Sequence, residues 1–169
     1  EVKAMRTITR GHYDNLLLAQ AFENCLQFLI EKGFTSTRPF SQAAYGTLLL
    51  RYTGPFFIDI ERGERLEVAI YMYPLHVDKP PSIKRIGIGR LIFMVSECTE
   101  NISYMFPDFW DPLEYEKDAQ LVCGKIQEYY ERISWYMREE NVAALYDQMR
   151  ATGIEYMRSI GSPPHDHPA

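Results

Sequence analysis

Residues 51–73 constrain the fold of this chain more than any other stretch of it. Apolar and polar side chains alternate along these residues, and Gly54-Pro55 and Arg62-Gly63 interrupt the alternation with two turn signals. A period of two is typical of strands with one buried and one solvated face. Together with the residues just before it, the stretch predicts three antiparallel strands over residues 47–53, 56–61 and 64–73.

Helical periodicity flanks this strand region on both sides. Apolar side chains recur at three- and four-residue steps over residues 12–32, and Gly33 is the expected C-terminal stop. Asp111-Pro112, with Glu114 three residues after Asp111, has the composition of a capping box. We therefore expect Asp111 to cap a second helix that runs to about residue 138, and a third helix to follow over residues 142–160.

The order of these elements predicts the fold class. Residues 85–95 are strongly apolar after Gly87 and Gly89 and predict a fourth strand, whereas residues 35–42 read as a connector or a short edge strand. Segregated strands and helices indicate an α+β, two-layer fold. Its mainly antiparallel four-stranded sheet would pack against an N-terminal helix and two C-terminal helices. The length suits a single domain over residues 1–160, with residues 161–169 as a flexible tail.

The strand alternation also predicts a binding surface. It directs one set of charged and aromatic side chains away from the core, and these are the candidate partner-binding residues: Arg51, Asp59, Glu61, Glu67, Tyr71 and Tyr73. Tyrosine and arginine often anchor protein partners, so we expect one contiguous exposed patch. The alternative is a solvated face with cross-strand ion pairs, such as Arg51 with Asp59.

Catalytic and metal chemistry have weaker support. The carboxylates lie on a sheet face and not in a cleft, and the four histidines are scattered, so we assign no catalytic residue, metal or cofactor. The sequence from Gly87 to Arg90 resembles a phosphate-binding turn, with Lys79, Lys84 and Arg85 nearby. Because a strand is predicted to follow where such a turn needs a helix, a solvated loop is the favoured interpretation.

The three cysteines bear on the compartment. Cys25 and Cys123 lie on apolar helical faces, and Cys98 completes an odd number without any Cys-x-x-Cys spacing. We expect buried, reduced thiols and a cytoplasmic protein. The sequence shows no apolar run that would span a membrane and no signal-peptide pattern at its start.

The net charge of −5 argues against a duplex nucleic-acid partner and favours a basic protein partner. The sequence therefore predicts a non-enzymatic protein-binding module, by analogy an inhibitor or immunity-type protein. One alternative is a small-molecule-binding domain or enzyme with a tyrosine-lined pocket between sheet and helices. Another is a homodimer that uses the aromatic sheet face.

Overall fold

The computed structural model describes residues 10–43, 46–63, 67–75, 85–102 and 115–161. The helices in this part of the chain are α1 (Arg10–Cys25), α2 (Phe28–Glu31), α3 (Ile88–Val95), α4 (Tyr115–Met137) and α5 (Val142–Ser159). The strands are β1 (Thr35–Thr37), β2 (Ser41–Ala43), β3 (Gly46–Thr53), β4 (Phe56–Gly63), β5 (Val68–Pro74) and β6 (Ile86–Gly87).

All six strands belong to one antiparallel sheet of order β1-β3-β4-β5-β6, with β2 also paired to β3. The predicted fold class is confirmed: an antiparallel sheet is combined with an N-terminal helix and C-terminal helices in an α+β arrangement. The sheet has two short strands more than predicted at the β1 and β2 edge, within residues 35–43.

The inner face of the sheet carries the apolar core. Ile58 and Ile60 of β4 are fully buried, and they share one buried cluster with Phe22 of α1 and Ile126 of α4. Arg62 is the polar exception on this face, because it is only 5% exposed. Its Nη1 donates to the side-chain oxygen of Asn15 on α1 at 3.0 Å, so the helix layer supplies the partner that a buried guanidinium needs.

The predicted fourth strand over residues 85–95 is wrong. The chain pairs as a strand only at Ile86–Gly87 and then forms α3, whose residues 91–95 are all buried. Helix α3 packs against α4, α5 and β5. A helix covered on most sides has the same continuous apolar run as a buried strand, so periodicity could not separate the two.

Three local predictions have different outcomes. The single helix expected over residues 12–32 is interrupted at residues 26–27, between α1 and α2. The stop at Gly33 is confirmed, since its φ is 90° and the next amide, that of Phe34, donates back to the carbonyl of Leu29 at 3.0 Å. The reversal expected at Arg62-Gly63 is also wrong, because both residues still belong to β4.

A disulfide links the two helices that cover the inner face. Cys25 of α1 is bonded to Cys123 of α4, with the Cα atoms 5.9 Å apart, while Cys98 is free. The prediction of reduced thiols at Cys25 and Cys123 is therefore wrong. Because disulfides persist mainly in oxidising compartments, cysteine usage no longer supports the expected cytoplasmic location.

The third helix is confirmed as α5, and Asn141 is the residue before it. The Asn141 side chain does not cap α5 but donates to the carbonyl of Trp135 at 2.8 Å. The predicted cap at Asp111 and residues 162–169 of the tail lie outside the described residues. Within the described residues, no helix combines the length and apolar character needed to cross a membrane.

Candidate functional site

Strand register brings the predicted residues together on the outer face of the sheet. Asp59 of β4 lies between Arg51 of β3 and Tyr71 of β5, and the neighbouring pair on the same face joins Phe57 to Tyr73. A register shift in β3 between Leu48 and Leu50 then places Leu48 opposite Glu61. We use "outer face" for Arg51, Phe57, Asp59, Glu61, Glu67, Tyr71, Tyr73 and Arg85.

Asp59 is the centre of the first polar cluster on the outer face. Arg51 donates to both of its carboxylate oxygens, from Nε to Oδ1 and from Nη2 to Oδ2, each at 2.8 Å. The hydroxyl of Tyr73 donates to Oδ2 at 3.0 Å. Burial, reinforced by the Asp59 charge, raises the pKa of Tyr73 to about 12. The phenol therefore keeps its proton and remains a hydrogen-bond donor at neutral pH.

Glu61 is the centre of the second polar cluster. Arg85, next to β6, donates from Nη2 to Glu61 Oε1 at 2.5 Å, and its guanidinium carbon lies 4.0 Å from the centroid of the Tyr71 ring. The Tyr71 ring and the Glu61 carboxylate thus both fix the position of the Arg85 side chain. Glu61 Oε2 and Arg85 Nε are buried, and neither has a hydrogen-bond partner among the described residues.

The predicted exposure of Asp59 and Glu61 is wrong. Asp59 is 1% exposed and Glu61 is 2% exposed, although both point to the predicted side of the sheet. The reason is that arginine side chains lie over them, which replaces water with charged hydrogen bonds. The alternative of a cross-strand ion pair between Arg51 and Asp59 is therefore what the structure contains at this position.

Glu67 differs from the other two carboxylates, because it is exposed and lies just before β5. Its carboxylate lies over Gly63, where a Cβ atom would meet Glu67 Oε1 at 2.1 Å. A glycine at residue 63 therefore leaves the space that the Glu67 side chain occupies. The exposed carboxylate of the outer face is thus Glu67, at the end where β4 and β5 approach their connection.

Aromatic rings complete the outer face. Phe57 and Tyr73 stack with their centroids 4.9 Å apart, and both remain partly exposed, as do Tyr71 and Arg51. The described part of the chain contains no group of three histidine, cysteine or acidic residues that could hold a metal ion. The arrangement holds aromatic rings and guanidinium groups in fixed positions on one face.

A second candidate site was missed by the sequence analysis. A cleft of about 360 Å³ lies between the start of α3 and α5, and its lining residues are Arg85, Ile86, Arg90, Tyr146, Met149 and Arg150. The sequence placed Arg85 near Arg90 but did not connect Arg150 with them. Arg150 follows Arg90 by 60 residues and belongs to a different helix, α5. The strand predicted after Gly89 argued against a phosphate-binding turn, whereas the structure has helix α3 directly after β6, beginning at Ile88.

Comparisons with protein-family models, with curated proteins and with solved structures found no match to this chain.

Proposed function

We propose that this chain is a non-enzymatic protein-binding module whose partner contacts the outer face of the sheet. The observation that carries the proposal is the pair of arginine–carboxylate–tyrosine clusters on a single face. Each cluster holds an accessible arginine and a tyrosine in a fixed position above a buried acid.

Preorganisation is the first argument. Immobilising a long side chain at an interface costs about 0.5–1.5 kcal/mol, and a side chain that is already held loses less on binding. Arg51 donates to Asp59 from both Nε and Nη2, yet its side chain remains 41% exposed, so its conformation is fixed while its surface stays available. Arg85, which is bonded to Glu61 and stacked on Tyr71, is 25% exposed.

Residue type is the second argument. Tyrosine and arginine are enriched among the residues that dominate interface energies, because each presents a large area together with a polar group. The partly exposed rings of Phe57, Tyr71 and Tyr73 occupy neighbouring strand positions on the face that carries the two arginines. Such a surface could form the centre of an interface, with polar residues around it.

Charge defines the class of partner. Asp59 and Glu61 are each neutralised by an arginine, so they cannot contact a partner directly as first expected. Exposed Glu67 gives the outer face its excess negative charge, and the whole chain carries −5. A basic protein partner fits this balance of charge. By analogy, this chain would act on that partner as an inhibitor or immunity-type protein.

The experiment compares partner capture by matched variants. The variant Glu67→Lys with Tyr71→Ala alters exposed parts of the face but retains the Arg51–Asp59 pair. Trp135→Ala is the control, since Trp135 is 45% exposed on α4. We expect the face variant to bind the captured partner at least tenfold more weakly, with association that slows as salt rises, and the control to bind normally.

Two results would contradict the proposal. Equal affinity of the face variant and the unmodified protein, with similar melting temperatures, would remove the outer face from the interface. A dimer in sedimentation velocity that the same substitutions dissociate would instead assign the face to a second copy of the chain.

A small-molecule-binding domain is the second candidate function. The arginine-lined cleft between α3 and α5 favours it, because about 360 Å³ is within the usual range of ligand sites. This cleft lies between helices and the sheet edge, close to where a pocket between the two layers was expected.

A further inference from the structure

We infer that the cleft between α3 and α5 binds a small organic phosphate, with Arg85, Arg90 and Arg150 as its anion-binding residues. These residues come from three separate segments: the residue before β6, the first turn of α3 and the middle of α5. The cleft shares Arg85 with the outer face, but its other lining residues belong to β6, α3 and α5, and the inference does not depend on the proposed protein interface.

Unused hydrogen-bond donors are the first argument. The Nε atoms of Arg85 and Arg90 are both buried, and neither has a hydrogen-bond partner among the described residues. Buried polar groups are normally paired, so two such donors beside one cleft are unusual. A phosphate oxygen is an acceptor that fits the planar, forked geometry of guanidinium groups.

Charge balance is the second argument. Arg85 is paired with Glu61, and Arg150 is paired with Asp147 at the surface. Arg90 instead donates from Nη2 to the main-chain carbonyl of Met149 at 3.0 Å, and the described residues place no carboxylate in an ion pair with it. Within the described part of the chain, the cleft therefore has one cation more than the paired acids neutralise, which favours an anionic ligand.

The lining of the cleft indicates an organic part of the ligand. Ile86 and Met149 are buried apolar residues, and the partly buried ring of Tyr146 lies beside them. A cleft that combines apolar walls with a few converging polar groups is typical of small-molecule sites. The start of α3 adds its positive helix end near Arg90, which also favours phosphate.

The test measures binding of phenyl phosphate by titration calorimetry at constant ionic strength. Benzoate and inorganic phosphate are the comparison probes, because they remove the phosphate group and the ring respectively. We expect phenyl phosphate to bind more tightly than either. Arg150→Gln should weaken its binding about tenfold, since one charged hydrogen bond is lost.

Arg158→Gln is the matched control, because Arg158 is an exposed arginine on the same helix but does not line the cleft. Arg150 itself has a 74% exposed side chain, so replacing it should leave folding intact. A second readout is the Nε–H signal of Arg90 in nitrogen-edited spectra, identified by its loss in Arg90→Lys. That signal should shift with phenyl phosphate.

Equal weakening by Arg150→Gln and Arg158→Gln would overturn the inference, because the effect would then be a general loss of charge. Benzoate binding as tight as phenyl phosphate, or an Arg90 Nε–H signal that does not move, would also overturn it. Failure of these tests would leave the outer-face proposal unaffected, since none of the substituted residues belongs to that face.

Discussion

Asp59 and Ile60 are neighbours on β4, and both are buried, but by different means. Ile60 is covered by apolar side chains in the core beneath α1 and α4. Asp59 points the other way and is covered by the guanidinium of Arg51 and the ring of Tyr73. The same strand therefore has one face stabilised by apolar burial and another in which charged hydrogen bonds replace lost hydration.

The comparison shows that buried acids and buried apolar residues occupy opposite faces of one strand. On the outer face, Arg51 from the adjacent strand pairs with the buried Asp59, and Arg85, which precedes β6, reaches across β5 to pair with the buried Glu61. On the inner face, the polar Arg62 is buried among apolar residues, and Asn15 of α1 supplies a hydrogen-bond acceptor for it. A polar residue is thus buried on either face where a partner is within hydrogen-bonding distance.

The largest expected effect concerns the helix layer over the inner face. Replacing Cys25 and Cys123 by serine opens a loop whose ends are 98 residues apart in sequence. Because closing such a loop restricts the unfolded chain, we expect the free energy of unfolding to fall by about 3–5 kcal/mol. Urea denaturation of the double variant under oxidising conditions measures this change.

Cys98→Ser is the control for this prediction, because Cys98 is the free cysteine. It should leave the stability nearly unchanged, and a reducing agent should lower the stability of the unmodified protein to that of the double variant. Three reactive thiols in unfolded, unreduced protein would contradict the presence of the disulfide.

The second effect tests the outer face. Arg51→Ala removes two charged hydrogen bonds from Asp59, which is 1% exposed. We expect the free energy of unfolding to fall by about 2–3 kcal/mol. Breaking a fully buried ion pair costs about 3–5 kcal/mol, and the loss here should be smaller because the Arg51 side chain is partly exposed and water can replace it. Chemical denaturation at pH 7 provides the measurement.

The matched variant replaces both partners, Arg51→Met with Asp59→Leu. Its free energy of unfolding should be much closer to that of the unmodified protein than the value for Arg51→Ala alone, since no unpaired buried charge is left behind. If the single variant lost no more stability than the double variant, Asp59 would be solvated and the comparison of the two faces would fail.

The sequence predicted the fold class and the sides of the sheet for a physical reason. Strand alternation is a local property, so residues 51–73 were sufficient to direct Asp59 outward and Ile60 inward. The same local reasoning located the stop at Gly33, where a left-handed backbone favours glycine.

The remaining features depend on contacts between residues distant in sequence. The burial of Glu61 requires Arg85, 24 residues later, and a helix replaces the expected strand after Gly87 because α4 and α5 cover it. The disulfide joins two segments whose apolar patterns indicated only burial. The third arginine of the cleft comes from α5, so periodicity along β6 and α3 could not have revealed the site.

A smaller effect is expected from the inner face. Ile60→Val removes one methylene group from a fully buried position between β3 and β5. We expect a loss of about 1 kcal/mol in the free energy of unfolding, because the vacated space collapses only in part. Ile154→Val on α5 is the control, since Ile154 is 57% exposed. Equal losses in the two variants would contradict apolar packing as the source of stability on this face.

The smallest effect, with no change in stability at pH 7, concerns the titration of Tyr73. Burial and the Asp59 charge raise its pKa to about 12, from an ordinary value of about 10. The folded state therefore retains a proton that the unfolded state releases between these values. The contribution of this proton to the stability of the folded state is therefore fully present below pH 10 and is lost as the pH rises towards 12. Asp59→Asn should lower the Tyr73 pKa but leave it above 10, because the ring stays partly buried.

Carbon-13 NMR of ring-labelled tyrosine follows this titration, with the Tyr73 signal identified by its loss in Tyr73→Phe. Tyr146 of α5 is the internal control, since burial alone raises its pKa and Asp59→Asn should leave it unchanged. If Tyr73 titrated near pH 10 in the unmodified protein, its ring would be hydrated and Asp59 would lack one of its two covering groups. If Asp59→Asn left a raised Tyr73 pKa unaltered, burial alone would explain it, and the Asp59 charge would have no measurable influence on the phenol.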